Sequence, residues 1–217
     1  PIETHEINVN GLLNVLEACR VNKVKRLVFA ASSASYGNQE TLPLTESMNA
    51  MPLSPYGTHK YIGEVYCALY SRVYNLETVS LRYFNVYGPR QLSTGAYASV
   101  IAKFLDLKKS NMPMTITGDG EQTRSFVHVH DVVTANILAM KSENVGKGEV
   151  INIGTNEMYS VNQIAKLLGG EFVYIDPRIE PRATSADIAK AKELLNWQPS
   201  IKFEDALIEL KKYHNIS

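Results

Sequence analysis

The sequence predicts an α/β fold built on a mostly parallel sheet, and three observations carry that expectation. Apolar runs such as Leu27–Ala31 and Thr78–Phe84 have the unbroken character of strands buried on both faces. They alternate with longer segments of helical apolar spacing, the order that parallel strands and their crossovers produce. Cap and turn residues separate them, notably Ser54-Pro55, Gly118-Asp119-Gly120 and Gly169-Gly170.

Each element follows in turn. Leu12, Leu13, Val15, Leu16 and Cys19 recur at helical spacing over 9–20. The strand Leu27–Ala31 runs into a turn of small and polar residues from Ser32 to Gly37. Ser54 is a good N-cap and Pro55 a tolerated first residue for a helix reaching about Tyr74. The strand Thr78–Phe84 ends in turn residues from Asn85 to Pro89. A helix from Tyr97 to Lys109 precedes a short strand, Met114–Thr117. Phe126–Val129 is a further strand, and Asp131 is expected to cap a helix to about Lys141. Val150–Ile153 is a strand closed by Gly154. Ser160 with Gln163 makes a capping box, and helices over 187–196 and 203–213 complete the chain.

Composition narrows the function. The 217 residues suffice for one large domain, or a domain with a small lobe. Lys+Arg and Asp+Glu both number 22, which argues against a nucleic-acid or anionic-membrane surface. No apolar run is long enough to cross a bilayer, and no signal-peptide pattern opens the chain. Cys19 and Cys67 fit no metal or redox spacing and read as reduced packing residues, which suits a cytoplasm. The first residue is Pro1 rather than Met, so the sequence is expected to start inside a longer gene product or after processing.

Tyr56 and Lys60 stand four apart on one predicted helix and share a face. An ammonium beside a phenol favours the phenolate and makes Tyr56 a usable proton acceptor near neutral pH. Among 12 tyrosines, roughly one such spacing arises by chance, so a second feature is needed. Ser32 supplies it: it lies just beyond the carboxyl end of a predicted parallel strand, where α/β sheets bind ligands.

The stretches AASSASYG (30–37), SPYGTHK (54–60), LRYFNVYGPRQ (81–91), GDGEQTRSFVHVHDV (118–132), INIGT (151–155) and SADIAKAKELLNWQP (185–199) resemble the extended short-chain dehydrogenase/reductase family. The likeness is greatest to its nucleotide-sugar epimerases and dehydratases, UDP-sugar 4-epimerases above all. It implies the C-terminal part of a Rossmann-like doubly wound parallel sheet with a smaller mixed α/β substrate lobe. The remaining dinucleotide-binding domain would comprise 1–85 and 126–155, and the lobe 86–125 and 156–217. The resemblance gives Ser32, Tyr56 and Lys60 catalytic roles. It places Ala30, Ala31, Tyr56, Lys60, Tyr83 and Phe84 beside NAD, with NADP as the other possible cofactor. It implies substrate contacts at Ser33, Asn85, Arg124, Arg178 and Thr184, the arginines on a diphosphate and Thr184 near the C2 substituent of the sugar. His128 and His130 are read as structural, with no metal implied.

Two features depart from the family pattern. Ser125 follows Arg124 where an acid is usual, and no glycine-rich G-x-x-G-x-x-G turn occurs in the sequence. About a third of the family length, at its front, is therefore expected to lie outside this chain. The family's water-eliminating and decarboxylating branches carry an acid just before the tyrosine of the Ser32 turn. Ala34-Ser35-Tyr36 has none. The expected reaction is thus C4 epimerisation through a transient 4-keto sugar. A dehydratase, reductase or decarboxylase is the alternative, or a non-catalytic nucleotide-binding protein. The family also implies a homodimer through the helices near 8–20 and 55–74.

Overall fold

A computed structural model describes residues 1–95, 98–177 and 180–216. Helix α1 (Ile2–His5) passes through one π-turn, Glu6–Asn10, into α2 (Gly11–Val21). The helix thus begins more than a turn before the expected position 9. Strand β1 (Arg26–Ser32) leads through a 3₁₀ turn, Ser33–Ser35, towards α3 (Pro55–Tyr74) and β2 (Glu77–Tyr83). Then come β3 (Val86–Tyr87), α4 (Val100–Lys109), β4 (Met114–Thr117), β5 (Thr123–Arg124), β6 (Val127–His128), α5 (Val129–Lys141) and β7 (Lys147–Ile153). The chain finishes with β8 (Tyr159–Ser160), α6 (Val161–Leu168), β9 (Phe172–Ile175), β10 (Ala183–Thr184), α7 (Ala189–Leu195) and α8 (Phe203–Tyr213). Tyr97, where a helix was expected to begin, lies outside the described residues; α4 is capped by Ser99, whose Oγ accepts from the Ala102 amide.

The principal sheet is parallel, in the order β1-β2-β7. Its register aligns Ser32, Tyr83 and Ile153 at the carboxyl ends of the three strands. Within this chain β1 stands at the edge of the three-stranded sheet and is partly buried, with Ala30 exposed.

Successive side chains of β2 face opposite ways. Val79 and Leu81 join Ile151, Ile153, the α5 residues Val132 and Ala135, and Trp197 in one core. Thr78, Ser80 and Arg82 are buried on the other side, where the Thr78 hydroxyl donates to the Cys67 carbonyl of α3 (2.7 Å). A second core fills the smaller lobe, where α4, α6 and α8 enclose β4. Phe203 of α8 stacks there on Tyr159 and Phe126.

Two expectations need correction. The cap of α5 is His128, whose Nδ1 accepts from the His130 amide (3.3 Å). Asp131 instead reaches the segment before α8, accepting from the Ser200 and Ile201 amides. The turn expected over 85–89 contains β3, which pairs with β6.

Candidate active site

Ser32 closes β1, and its Oγ accepts from the Ala34 amide (3.2 Å), starting the 3₁₀ turn. That bond uses an oxygen lone pair and leaves the hydroxyl hydrogen for another acceptor. The first turn of α3 lies against this turn. A Cβ on Gly57 would stand 2.6 Å from the Ala34 carbonyl oxygen, so only glycine permits the approach. Ser54 fixes the start of the helix by accepting from the Gly57 amide (3.1 Å). Tyr56 is thereby held beside the Ser32 turn.

One helical turn on, Lys60 Nζ donates to the Ala30 carbonyl (2.9 Å) and lies 5.7 Å from the Tyr56 ring centroid. Ser32, Tyr56 and Lys60 thus share the carboxyl end of β1. Desolvation lowers the pKa of the Lys60 ammonium. Tyr36 belongs to the same turn but is wholly buried; burial pushes its phenol up to about 12, which leaves it unsuited to accept a proton.

Of the groups expected beside a nicotinamide cofactor, Ala30 is exposed on β1 whereas Ala31 is buried, and Lys60 keeps N–H donors beyond the one given to the Ala30 carbonyl. Tyr83, in register with Ser32, donates its hydroxyl to Asn136 Oδ1 (3.0 Å). Phe84 stands apart from these groups, fully buried with Tyr36, Leu44 and Ala186.

The substrate candidates gather on the lobe side. A cavity of about 250 Å³ is bordered by Asn85, Lys103, Gln122, Arg124 and Glu180. Asn85 has a left-handed backbone (φ 37°), which asparagine tolerates, and its Nδ2 donates to the Ser125 carbonyl (2.8 Å). Thr184 pairs with Arg124 across β10 and β5, is buried, and lies 3.4 Å from Asn85 Nδ2. Ser125, which stands where an acid was expected, donates its amide to the Thr184 carbonyl (2.8 Å), so backbone pairing holds this loop. Arg124 is nearly buried and donates to Glu180 Oε2 (2.7 Å). Ser33 sits in the 3₁₀ turn itself. Arg178 lies outside the described residues.

Glu180 and Lys103 lie in none of the quoted motifs, and Gln122, though inside the 118–132 stretch, had no role assigned to it. Sequence reading also passed over Glu64 and Arg82, a buried ion pair below the Ser32 turn. The available signal was a charge inside an otherwise apolar strand, Leu81-Arg82-Tyr83-Phe84, with a carboxylate one helical turn beyond Lys60. No group of three metal-ligating side chains occurs among the described residues.

This is a doubly wound α/β architecture with polar groups converging at the carboxyl ends of its parallel strands, the place where such sheets bind nucleotides. The profile of the NAD dependent epimerase/dehydratase family matches residues 1–154, and the chain belongs to that family. A putative UDP-glucose 4-epimerase of Methanocaldococcus jannaschii is 42% identical over 215 residues, 95% of this chain and 68% of its own length. The solved UDP-N-acetylglucosamine 4-epimerase of Methanobrevibacter ruminantium M1, in complex with UDP-N-acetylmuramic acid, superposes with a TM-score of 0.92 at 34% identity. That match covers 98% of this chain and 70% of the solved one. The UDP-glucuronic acid 4-epimerase of Bacillus cereus, in complex with UDP-glucuronic acid and NAD, gives 0.88 at 32% identity, covering 97% and 68%.

Proposed function

We propose that this chain is the catalytic and substrate-binding portion of an NAD-dependent nucleotide-sugar 4-epimerase. The observation that carries the reading is Lys60, bonded to the end of β1 and set against the Tyr56 ring beside the Ser32 turn. Tyr56 takes the proton of the sugar 4-hydroxyl, helped by the Lys60 charge, and Ser32 hydrogen-bonds the same oxygen. NAD, or NADP, when bound beside these residues, would supply the reversible hydride uptake that oxidation and re-reduction at C4 require. Ala30, Ala31, Tyr83 and Lys60 form the wall against which the cofactor rests, with Phe84 packed behind it. Ser33, Asn85 and Arg124 hold the substrate, the Arg124 guanidinium matching a diphosphate; Arg178 is a second candidate for that contact. Residues 1–85 with 126–155 make the cofactor side and 86–125 with 156–217 the substrate side. The α7–Trp197 segment of the latter packs back onto the principal sheet.

The chain has no helix long and apolar enough to cross a membrane among the described residues. We place the protein in the cytoplasm as a homodimer; exposed Val15 of α2 with Tyr61 and Val65 of α3 supports an interface on those helices.

Thr184 sets the sugar. Its short side chain leaves room at C2, so UDP-N-acetylhexosamines, or their uronic acids, are accepted. The full-length gene product should interconvert UDP-GlcNAc and its 4-epimer, read by product chromatography. Thr184→Tyr should suppress that activity while sparing UDP-glucose. Turnover of UDP-glucose alone by the unchanged protein would overturn the sugar assignment. Release of a dehydrated or decarboxylated product would overturn the reaction.

A further inference from the structure

Glu64 lies on α3 at the next four-residue step after Tyr56 and Lys60, so all three share a face. Arg82 precedes Tyr83 on β2. Their contact is a two-pronged fork, Nε to Oε1 at 2.8 Å and Nη2 to Oε2 at 2.7 Å. Both side chains are almost wholly buried, at 4% and 3% exposure.

The Ser32 turn rests on this pair. Ser35 Oγ donates to the Ser32 carbonyl (2.9 Å) and lies 3.5 Å from Glu64 Oε1. The Arg82 guanidinium stands 4.4 Å from the centroid of the Tyr36 ring. Tyr36 is anchored at its far end by a bond from its hydroxyl to Asn152 Oδ1 (2.7 Å), and Asn152 Nδ2 in turn donates to the Leu44 carbonyl (2.9 Å). One fork therefore ties the helix of Tyr56 and Lys60 to the strand behind it and supports the turn that presents Ser32.

Stability alone is a poor reason for such a pair. Removing two charges from water costs several kcal/mol per ion, and well-packed apolar residues of similar volume often serve a core as well or better. Arg82 Nη1 is moreover buried without a protein partner, a further cost. What apolar side chains cannot supply is the fixed direction of a planar fork.

We propose that Glu64 and Arg82 are positioning residues for the epimerisation, holding the Ser32 hydroxyl in register with Tyr56. The role rests on the epimerase reading above. The test is the paired swap Glu64→Leu with Arg82→Met in the full-length gene product, alone and combined with Ser32→Ala. The swap should keep a Tm near that of the parent and a KM for the nucleotide sugar within roughly twofold, while kcat falls about tenfold or more. With Ser32→Ala present, the swap should cost less than about twofold further, because both changes remove the same placed hydroxyl.

A folded swap with parental kcat would overturn the proposal. So would a cost that multiplies fully with that of Ser32→Ala. If the swap does not fold, Arg82→Lys, which keeps the charge and loses the fork, is judged by the same two criteria. Parental protein inactive on all nucleotide sugars would instead remove the epimerase reading, and this role with it.

Discussion

The ring of His128 packs against Tyr87 (5.3 Å between centroids) and His130 (4.9 Å), and its Nδ1 accepts the backbone N–H that opens α5. An acceptor nitrogen must be unprotonated. Desolvation, then the neighbouring His130, lowers the pKa of His128 below its ordinary 6.5, outweighing the opposite pull of Asp131 and Glu209. The folded state therefore binds this proton less readily than the unfolded chain. The stability it contributes is complete above about 6.5 and is lost as pH falls through the lower, folded value. Thermal melts between pH 7.5 and 5 should show Tm falling on the acid side. His128→Asn, which can still accept the same N–H and does not titrate, should flatten that fall. An identical slope in the variant would show that the proton goes elsewhere. His128, rather than the expected Asp131, thus caps α5.

At the scale of elements, the active-site helix is placed by an absence of volume. Gly57 occupies the first turn of α3, where alanine would ordinarily gain about 1 kcal/mol of helix propensity. Here an added Cβ would meet the Ala34 carbonyl oxygen at 2.6 Å and Pro52 Cβ at 3.1 Å, and backbone cannot swing aside as a side chain can. Gly57→Ala should therefore destabilise by about 1–3 kcal/mol and lower kcat, because α3 must retreat from the Ser32 turn. The sign decides the matter: a higher Tm with unchanged turnover would mean the approach is not tight. The start of this helix is legible in the sequence, because Ser54 is a good N-cap and Pro55 a tolerated first residue, and the expected end near Tyr74 agrees with α3. Sequence reading also placed β2, β4 and α6, whose runs or caps are equally local. It placed β6 within the strand expected over Phe126–Val129 but did not find β3, β5, β8 or β10, because two-residue strands carry no period. It missed β9, whose side chains Phe172–Ile175 are all exposed, because that strand exists by pairing with β4, 58 positions back at Met114↔Phe172. Tyr56, Lys60 and Ser32 were legible as a cluster; Glu180 and the Glu64–Arg82 fork were not, since their meaning lies in long-range partners.

Over the whole molecule, two cores must keep a fixed relation if a cofactor side and a substrate side are to meet at one sugar. One core lies under the principal sheet and the other within the α4–α6–α8 lobe. Asp131, buried in the first turn of α5, is a fastening between them. Its Oδ1 accepts from the Ser200 amide (3.1 Å) and hydroxyl (2.7 Å), and its Oδ2 from the Ile201 amide (3.2 Å), just before α8. Its carbonyl accepts from Nε1 of Trp197 (2.9 Å), the only tryptophan of the chain. Asp131→Ala removes the acceptor of three donors and leaves backbone N–H groups without a protein partner, a cost on the order of 2 kcal/mol. For a chain of this size, that corresponds to a Tm lower by roughly 6 °C. Because Trp197 is buried in the core under the sheet, its emission should keep a midpoint near the parental one while circular dichroism begins to fall at lower denaturant, as the α8 side loosens before the sheet. A single coincident transition at the parental midpoint, by fluorescence and by circular dichroism, would mean that apolar packing alone holds the two cores together.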